Sequence, residues 1–283
     1  MPATYTPLRF PGGKTKLYDF IKPIVAASIP QSGRYVEPFA GGAGLAMKLL
    51  LKGDVSEVVI NDYDRLVYCI WKSILSEDDA LIHFVESVDI SIDEWNKQKH
   101  VVSNQQDYDD ETLGHAAFYL NRTNVSGILM GGPIGGKNQT GNFKIDARFS
   151  RDGLINKIIA IREVGDRISL FNYEAADFIS QILPRYDKES TFIYFDPPYV
   201  EKGPQLYKNA LSQNDHASLA KAISALETSK WIVTYDDCPY VRELYSPFEA
   251  LPIEVGYSAG SKRVGIEIAF FSKAVSETRG TNG

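Results

Sequence analysis

Thr191-Phe192-Ile193-Tyr194-Phe195-Asp196-Pro197-Pro198-Tyr199 is the stretch on which the reading of this chain turns. Its first five residues form a short β-prone run that predicts a buried strand. Two consecutive prolines then stop the strand and remove two backbone donors. What remains is a rigid, extended corner at a strand end, with open carbonyls, one carboxylate and an aromatic ring. Asp-Pro-Pro also occurs in ordinary turns. If it faces a cleft, the same corner accepts hydrogen bonds from an amino group and lies against a flat ring. Holding a nucleobase by its exocyclic nitrogen needs both.

Two glycine clusters precede this corner, Arg9-Phe10-Pro11-Gly12-Gly13-Lys14 and Val36-Glu37-Pro38-Phe39-Ala40-Gly41-Gly42-Ala43-Gly44. The second lies between the apolar Tyr35-Val36 and the helical run Leu45 to Leu51, which reads as strand, glycine loop, helix. Glycines let backbone approach a ligand closely, and the helix start offers free amide donors. Glu57 to Asp62 predicts a second strand ending in an acid. Asp62 stands about twenty residues past the glycines, the spacing at which an acid meets ribose hydroxyls in nucleotide-binding sheets. The loop lacks the Gly-x-Gly-x-x-Gly form, and Gly41, Gly42 and Gly44 are also ordinary turn residues. Glu37 would repel a pyrophosphate but suits a cationic ligand, and S-adenosylmethionine carries an ammonium and a sulfonium. Lys14 lacks the surroundings of a phosphate loop.

Strands and helices alternate through most of the chain. Arg167 to Phe171, Phe192 to Phe195 and Trp231 to Tyr235 predict strands, with helices over Ala175 to Leu183 and His216 to Glu227. Leu251 to Gly256 and Gly265 to Phe271 predict a closing pair around Ser258 to Arg263. The alternation implies an α/β fold with a mainly parallel sheet covered by helices on both faces. Ligands in such sheets sit at the carboxyl ends of the strands, and Glu37, Asp62, Asp177 and Asp196 all fall at or just past such ends. Leu113 to Leu120 predicts a helix leading into Asn121-Arg122. Gly131 to Asn142 is glycine-rich and polar, which predicts a flexible loop that a ligand could order. The division expected is a catalytic part over 1–75, a mostly helical insertion over 76–160 and a second catalytic part over 161–283.

With these motifs in this order, the chain resembles the adenine-specific DNA methyltransferases of the Dam type, over roughly residues 7 to 272. The resemblance implies a Rossmann-like fold of the S-adenosylmethionine-dependent methyltransferase kind, with an inserted target-recognition domain. It implies that Phe10, Gly12, Gly13 and Lys14 form the amino-terminal cofactor motif. Glu37, Pro38, Phe39, Gly41 and Gly42 would form the main cofactor loop, and Asp62 would meet the ribose. Asp177-Phe178 would hold the cofactor's adenine; on the residues alone Asp177 equally suits a helix N-cap. Asp196, Pro197, Pro198 and Tyr199 would be catalytic, with Asp196 also bordering the cofactor. Asn121, Arg122 and Thr123 fall in the segment that the resemblance assigns to target recognition. Lys137, Lys144 and Arg148 join them as candidate phosphate or guanine contacts. Asp196 and the Pro197 carbonyl would accept the hydrogens of a flipped-out adenine's amino group, and Tyr199 would stack on the base. The methyl group would pass by direct displacement.

Composition sets the remaining bounds. The chain has 283 residues, enough for one large domain with an insertion. It has no apolar run of membrane-spanning length, and its first residues do not read as a signal peptide, so a cytoplasmic protein without membrane contact is expected. Cys69 and Cys238 read as buried free thiols. His83, His100, His115 and His216 are scattered, so no metal site is expected. The net charge of −6 is unusual for a DNA binder, but acid and base are segregated. Glu77 to Glu111 holds eleven acids against two lysines, a solvated face away from DNA. Asn121 to Val164 holds seven basic residues against three acids, a candidate DNA face. Double-stranded DNA is the expected partner, a restriction endonuclease could accompany the protein, and no obligate protein partner is implied. Methylation of cytosine, RNA or a glutamine side chain, a catalytically silent DNA binder, and a nicotinamide-dependent oxidoreductase stay open at this point.

Overall fold

The computed structural model describes residues 5–200, 211–257 and 263–280. Of the expected turn over Ser258 to Arg263, residues 258–262 lie outside them. Among the described residues one sheet has seven strands, β1 (Arg34–Glu37), β2 (Glu57–Asn61), β3 (Ile168–Phe171), β4 (Thr191–Phe195), β5 (Lys230–Asp236), β6 (Glu249–Tyr257) and β7 (Arg263–Phe271). Their order is β3-β2-β1-β4-β5-β7-β6. The first five run parallel, and β7 enters antiparallel to both β5 and β6. The chain is therefore α/β and Rossmann-like. The expected closing pair is an antiparallel hairpin at one sheet edge.

Parallel strands with both faces covered should read as unbroken apolar runs, and β4 is buried at every position. Its side chains divide between two cores. Phe192 and Tyr194 face one side together with Tyr35, while Ile193 and Phe195 face the other with Val36 and Trp231. On the first side lie α1 (Tyr18–Ser28), α2 (Gly44–Leu51) and α3 (Arg65–Leu75). The second is covered by the helices Gln213–Ser224 and Pro239–Leu244. Cys69 and Cys238 are buried thiols not joined in a disulfide, one in each core.

Between α3 and β3 come α4 (Ala80–Ser87), α5 (Ile92–Ser103), α6 (Asp110–Thr123) and α7 (Arg151–Arg162). They extend the first core, with Phe118 and Tyr119 of α6 and Ile158 of α7 fully buried. The acids of this region have specific uses. Ser91 and Asp109 cap α5 and α6 through side-chain acceptors, and Asp93, Glu94, Asp110 and Glu111 sit in the first turns, where carboxylates favour the helix dipole. Asp110 also pairs with Arg65 and Lys72, which holds its carboxyl down at about 2.

The helix expected over Ala175 to Leu183 departs from a regular one. One α-helical turn, Ala175–Asp177, widens into a π-helical stretch, Phe178–Ile182, and tightens over Leu183–Arg185. Pro184 has no amide hydrogen to extend a regular ladder, and Phe178, Ile179 and Ile182 are all drawn into the second core.

Candidate active site

The crevice opens where the strand order reverses, between the carboxyl ends of β1 and β4, as this topology requires. Here the glycine loop leaves β1. Gly41 has φ +46°, and a Cβ there would come within 3.2 Å of the Phe10 ring. Phe10 thus lies on the loop itself. Gly44, which opens α2, admits no side chain because Thr15 Oγ1 would stand 2.2 Å from its Cβ. The loop is tied to the end of β2. The Ala40 amide donates to Asn61 O at 2.9 Å, the Gly41 amide to Asp62 Oδ2 at 2.8 Å, and Asn61 Nδ2 to Pro38 O at 2.9 Å. Asp62 Oδ1 accepts from the Asp64 amide at 2.9 Å. Trp71 Nε1 on α3 donates to Gly41 O at 2.9 Å.

A cavity of about 1290 Å³ occupies the crevice. Phe10, Gly12, Gly13, Lys14, Glu37, Phe39, Gly41, Gly42, Asp62, Asp196, Pro198 and Arg148 all line it. Pro38 does not, and its carbonyl serves the loop instead. Burial pushes the Glu37 carboxyl up to about 8. Burial also pushes Asp62 up to about 7, against the pull of the amides that it accepts. Two carboxylates this reluctant to ionise suit a cation, because a positive group beside them offsets their desolvation. Tyr63, next to Asp62, is 61% exposed and lines the cavity edge.

At the corner after β4, Lys14 Nζ lies 2.7 Å from Asp196 Oδ1. The same ammonium donates to Gly12 O at 3.0 Å and Tyr199 Oη at 3.2 Å. Thr234 on β5 donates to Asp196 Oδ1 at 3.4 Å and is itself bonded to Tyr194 at 2.8 Å. Burial pushes the Asp196 carboxyl up, Lys14 pulls it back, and the nearby charge of Glu267 pushes it up again. The Val200 amide donates to Asp236 Oδ1 at 3.1 Å, which fixes the chain just past the prolines.

A family model described as D12 class N6 adenine-specific DNA methyltransferase matches residues 10–259. The chain belongs to that family. It is a methyltransferase that uses S-adenosylmethionine and has adenine in DNA as its acceptor. It is 26% identical over 204 residues to the Type II methyltransferase M.MjaIII of Methanocaldococcus jannaschii, with 68% of each chain covered. Among solved structures, the rRNA methyltransferase aviRa from Streptomyces viridochromogenes aligns with a TM-score of 0.43 and 13% identity, over 97% of this chain and 90% of that one. SMU.472, solved as a complex with SAH, aligns with a TM-score of 0.27 and 11% identity, over 68% and 55% of the two chains. Both scores lie below 0.5, and the fold assignment stands on the strand order itself.

Several residues of this methyltransferase sit elsewhere than the sequence suggested. Tyr199 does not present its ring to the cavity. It is 3% exposed, and its hydroxyl donates to Glu267. Asp177 is exposed and accepts from Gln181 at 3.0 Å, while Phe178 is buried in the second core. The cavity is lined there by Glu174, Ala175 and Ala176. The cavity wall is thus formed by residues just before the expected pair.

In the expected recognition region, Asn121 and Thr123 are fully buried. Asn121 Oδ1 accepts from the Arg9 amide at 2.9 Å, and its Nδ2 donates to Arg9 O at 2.7 Å and Gly127 O at 3.1 Å. It clamps the amino-terminal motif to the loop, so it is not placed to touch DNA. Thr123 donates back to Tyr119 O at 2.8 Å. Arg122 donates to Pro7 O at 2.9 Å and to Arg148 O. Arg151 and Arg162 likewise serve carbonyls, those of Val85 and Val88 and of Ile74 and Asp78. Lys137, Lys144 and Arg148 stay exposed. Lys137 lies over the Trp95 ring, Lys144 donates to Gln139 O and Gly141 O, and Arg148 lies 5.6 Å from the Phe143 ring centre.

The glycine-rich segment has more order than its composition suggested. Gln139 Nε2 donates to Ile134 O at 2.8 Å and its Oε1 accepts from the Ile145 amide at 2.8 Å. Asn124 takes the indole of Trp95 at 2.7 Å and donates to Ile128 O and Leu129 O. Leu129, Ile145 and Phe149 anchor the segment in the first core. Phe143 is 64% exposed and lines the cavity beside Arg148, an aromatic face that sequence reasoning did not single out. Glu267 was also missed, although a lone carboxylate within Gly265 to Phe271 was a legible signal. Among the described residues no cluster suited to a metal ion occurs, and no helix is long and apolar enough to cross a membrane.

Proposed function

We propose that this chain methylates the N6 amino group of an adenine flipped out of double-stranded DNA, at a short specific sequence, by direct transfer without a covalent enzyme intermediate. The observation that carries this reading is one shared cavity. Asp196 and Pro198 stand on its wall, while Glu37 and Asp62 line the same space. The donor, when bound, supplies an electrophilic methyl group on a sulfonium. Glu37 is suited to its ammonium end and Asp62 to its ribose hydroxyls. Phe10 and Gly41 close the loop around it.

Both described partners of Asp196, Lys14 and Thr234, take Oδ1. Oδ2 is then available for one hydrogen of the target amino group, and the Pro197 carbonyl for the other. The amino nitrogen of adenine is a weak nucleophile because its lone pair is shared with the ring. Acceptors aimed at its hydrogens favour the pyramidal, charge-bearing nitrogen of the transition state. Phe143 offers the stacking face that Tyr199 does not. Arg148, Lys137 and Lys144 are suited to phosphates around the target, where they would hold the DNA in register. Residues 76–160 are assigned to target recognition through their last third, and a companion endonuclease reading the same sequence fits a type II system.

The test is modification sequencing of DNA from a methylation-deficient host that expresses this chain, beside an Asp196→Ala control. N6-methyladenine at one short sequence, absent from the control, is expected. Soluble protein that leaves every adenine unmodified would refute the reading and shift attention to cytosine, RNA or protein acceptors.

A further inference from the structure

Glu267 is the one charged side chain between Gly265 and Phe271, an otherwise apolar strand. It is fully buried and lies opposite Asp236 of β5 and Ile253 of β6. A carboxylate in the middle of a sheet is expensive to desolvate, and a buried ion pair seldom stabilises more than apolar packing of the same volume. Fold stability alone therefore gives a poor reason for a charge here.

Its contacts point to the reaction. Glu267 Oε1 accepts from the Tyr199 hydroxyl and lies 3.8 Å from Lys14 Nζ. That ammonium is also 2.7 Å from Asp196 Oδ1 and 3.2 Å from the Tyr199 hydroxyl oxygen. Two carboxylates thus share one ammonium, and the tyrosine that ends the Pro-Pro corner is held by the second of them. Three distant parts of the chain meet here: the amino-terminal motif, the corner after β4, and β7.

We propose that Glu267 is a positioning residue for methyl transfer, acting on Asp196 through Lys14 and on the Pro197-Pro198 corner through Tyr199. The proposal rests on the reading that Asp196 accepts the target amino group. With Glu267 in place, Lys14 is drawn towards two acids and does not settle wholly on Asp196. The hydroxyl anchor keeps the corner's carbonyls aimed. The negative charge of Glu267 also raises the proton affinity of Asp196. Among the described residues, the titratable groups that act on Asp196 or share its cluster include Lys14 and Tyr199, Tyr35 and Glu37 of β1, Tyr194 of β4 and Tyr235 of β5. Glu267→Gln changes none of these and keeps the shape of the side chain.

The experiment follows the Asp196 carboxyl by carbon-13 NMR titration, its signal assigned with Asp196→Asn, in the wild type and in Glu267→Gln. Single-turnover methyl transfer to unmethylated genomic DNA and S-adenosylmethionine titration are run on the same proteins. The Asp196 midpoint should fall by about one pH unit in the variant. Turnover should fall roughly ten- to hundredfold from lost alignment, with S-adenosylmethionine affinity unchanged. An unmoved midpoint overturns the proposal whatever the acceptor is, and so does a moved midpoint with normal turnover. A moved midpoint in a wild-type protein that methylates no DNA keeps the coupling and refutes the DNA reading instead. Should the amide variant not fold, Tyr199→Phe removes only the hydroxyl that Glu267 accepts. Lower turnover at unchanged S-adenosylmethionine affinity is then expected, and normal turnover overturns the proposal.

Discussion

S-adenosylmethionine binding should release a proton from Glu37, and Glu37→Gln should abolish that release. Burial holds the Glu37 carboxyl at about 8 in the unliganded protein. At pH 7 about nine in ten molecules then carry the proton on this group, by the ordinary titration relation. A carboxylate that pairs with the ligand's ammonium must be ionised, so its pKa falls on binding. The sign follows: binding strengthens as pH rises towards 8 and gains nothing further from Glu37 above it. Ionising the group at pH 7 costs about 1.4 kcal/mol, or tenfold in affinity. The ligand's own α-ammonium titrates in the same range with the opposite sign, and the glutamine variant keeps that part. Calorimetry in two buffers of different ionisation enthalpy at pH 7 counts the protons released. The wild type should exceed Glu37→Gln by about 0.9 proton, falling to about half a proton at pH 8. Identical buffer dependence in the two proteins would show that Glu37 stays neutral against the ligand and would refute the charge-pairing argument.

Asp196→Ala should leave S-adenosylmethionine affinity little changed and lower methyl transfer by roughly 10²- to 10³-fold, the usual loss for a preorganised electrostatic partner; tritium transfer beside calorimetry reads both, and normal turnover would remove Asp196 from the chemistry. Arg148→Ala should weaken DNA binding and lower the slope of log affinity against log salt by about one, whereas Arg122→Ala should act through stability; fluorescence titrations over a salt series separate them, and an unchanged slope for Arg148→Ala would take that residue off the DNA face. Asn121→Ala strips partners from the backbone of Arg9 and Gly127 and should cost about 3 kcal/mol of stability by urea unfolding; an unchanged midpoint would mean that the clamp is dispensable.

The parallel core was legible because its strands are covered on both faces, and burial on both faces writes itself as an unbroken apolar run. The acids at the carboxyl ends of β1 and β2 were legible for a related reason: a charge that directly ends such a run has few places to go except the crevice. Asn121 was misread because its partners, Arg9 and Gly127, are backbone groups, one of them 112 residues away. Nothing in the local pattern separates a buried asparagine that serves carbonyls and amides from an exposed one that reads a base. The glycine-rich segment was misread on the same ground, since its order comes from the side chains of Asn124 and Gln139 and from three apolar anchors. Asp177 is exposed and accepts from Gln181 while Glu174 to Ala176 line the cavity, a difference of one helical turn that composition does not mark.

The negative net charge, which first counted against a nucleic-acid partner, is better understood by where each charge is spent. Acids of the 77–111 stretch fill first turns and caps of α5 and α6. Three arginines of the basic stretch are consumed by main-chain carbonyls. Within the cavity both signs of charge face one space, Glu37, Asp62 and Asp196 together with Arg9, Lys14, Lys16 and Arg148. Glu37 and Asp62 mark its loop side, and Arg148 with Phe143 stands among the residues contributed by the 124–150 segment. In the proposed reading a cationic cofactor and an anionic strand each find groups of opposite charge in that one space. Lys14 stands between Asp196 and Glu267 as the described ammonium that both carboxylates share. Total charge is a statement about solubility and long-range drift; in the proposed reading the reaction is governed by local groups, with Glu37 for the cation, Arg148 for a phosphate and Asp196 for the amino group.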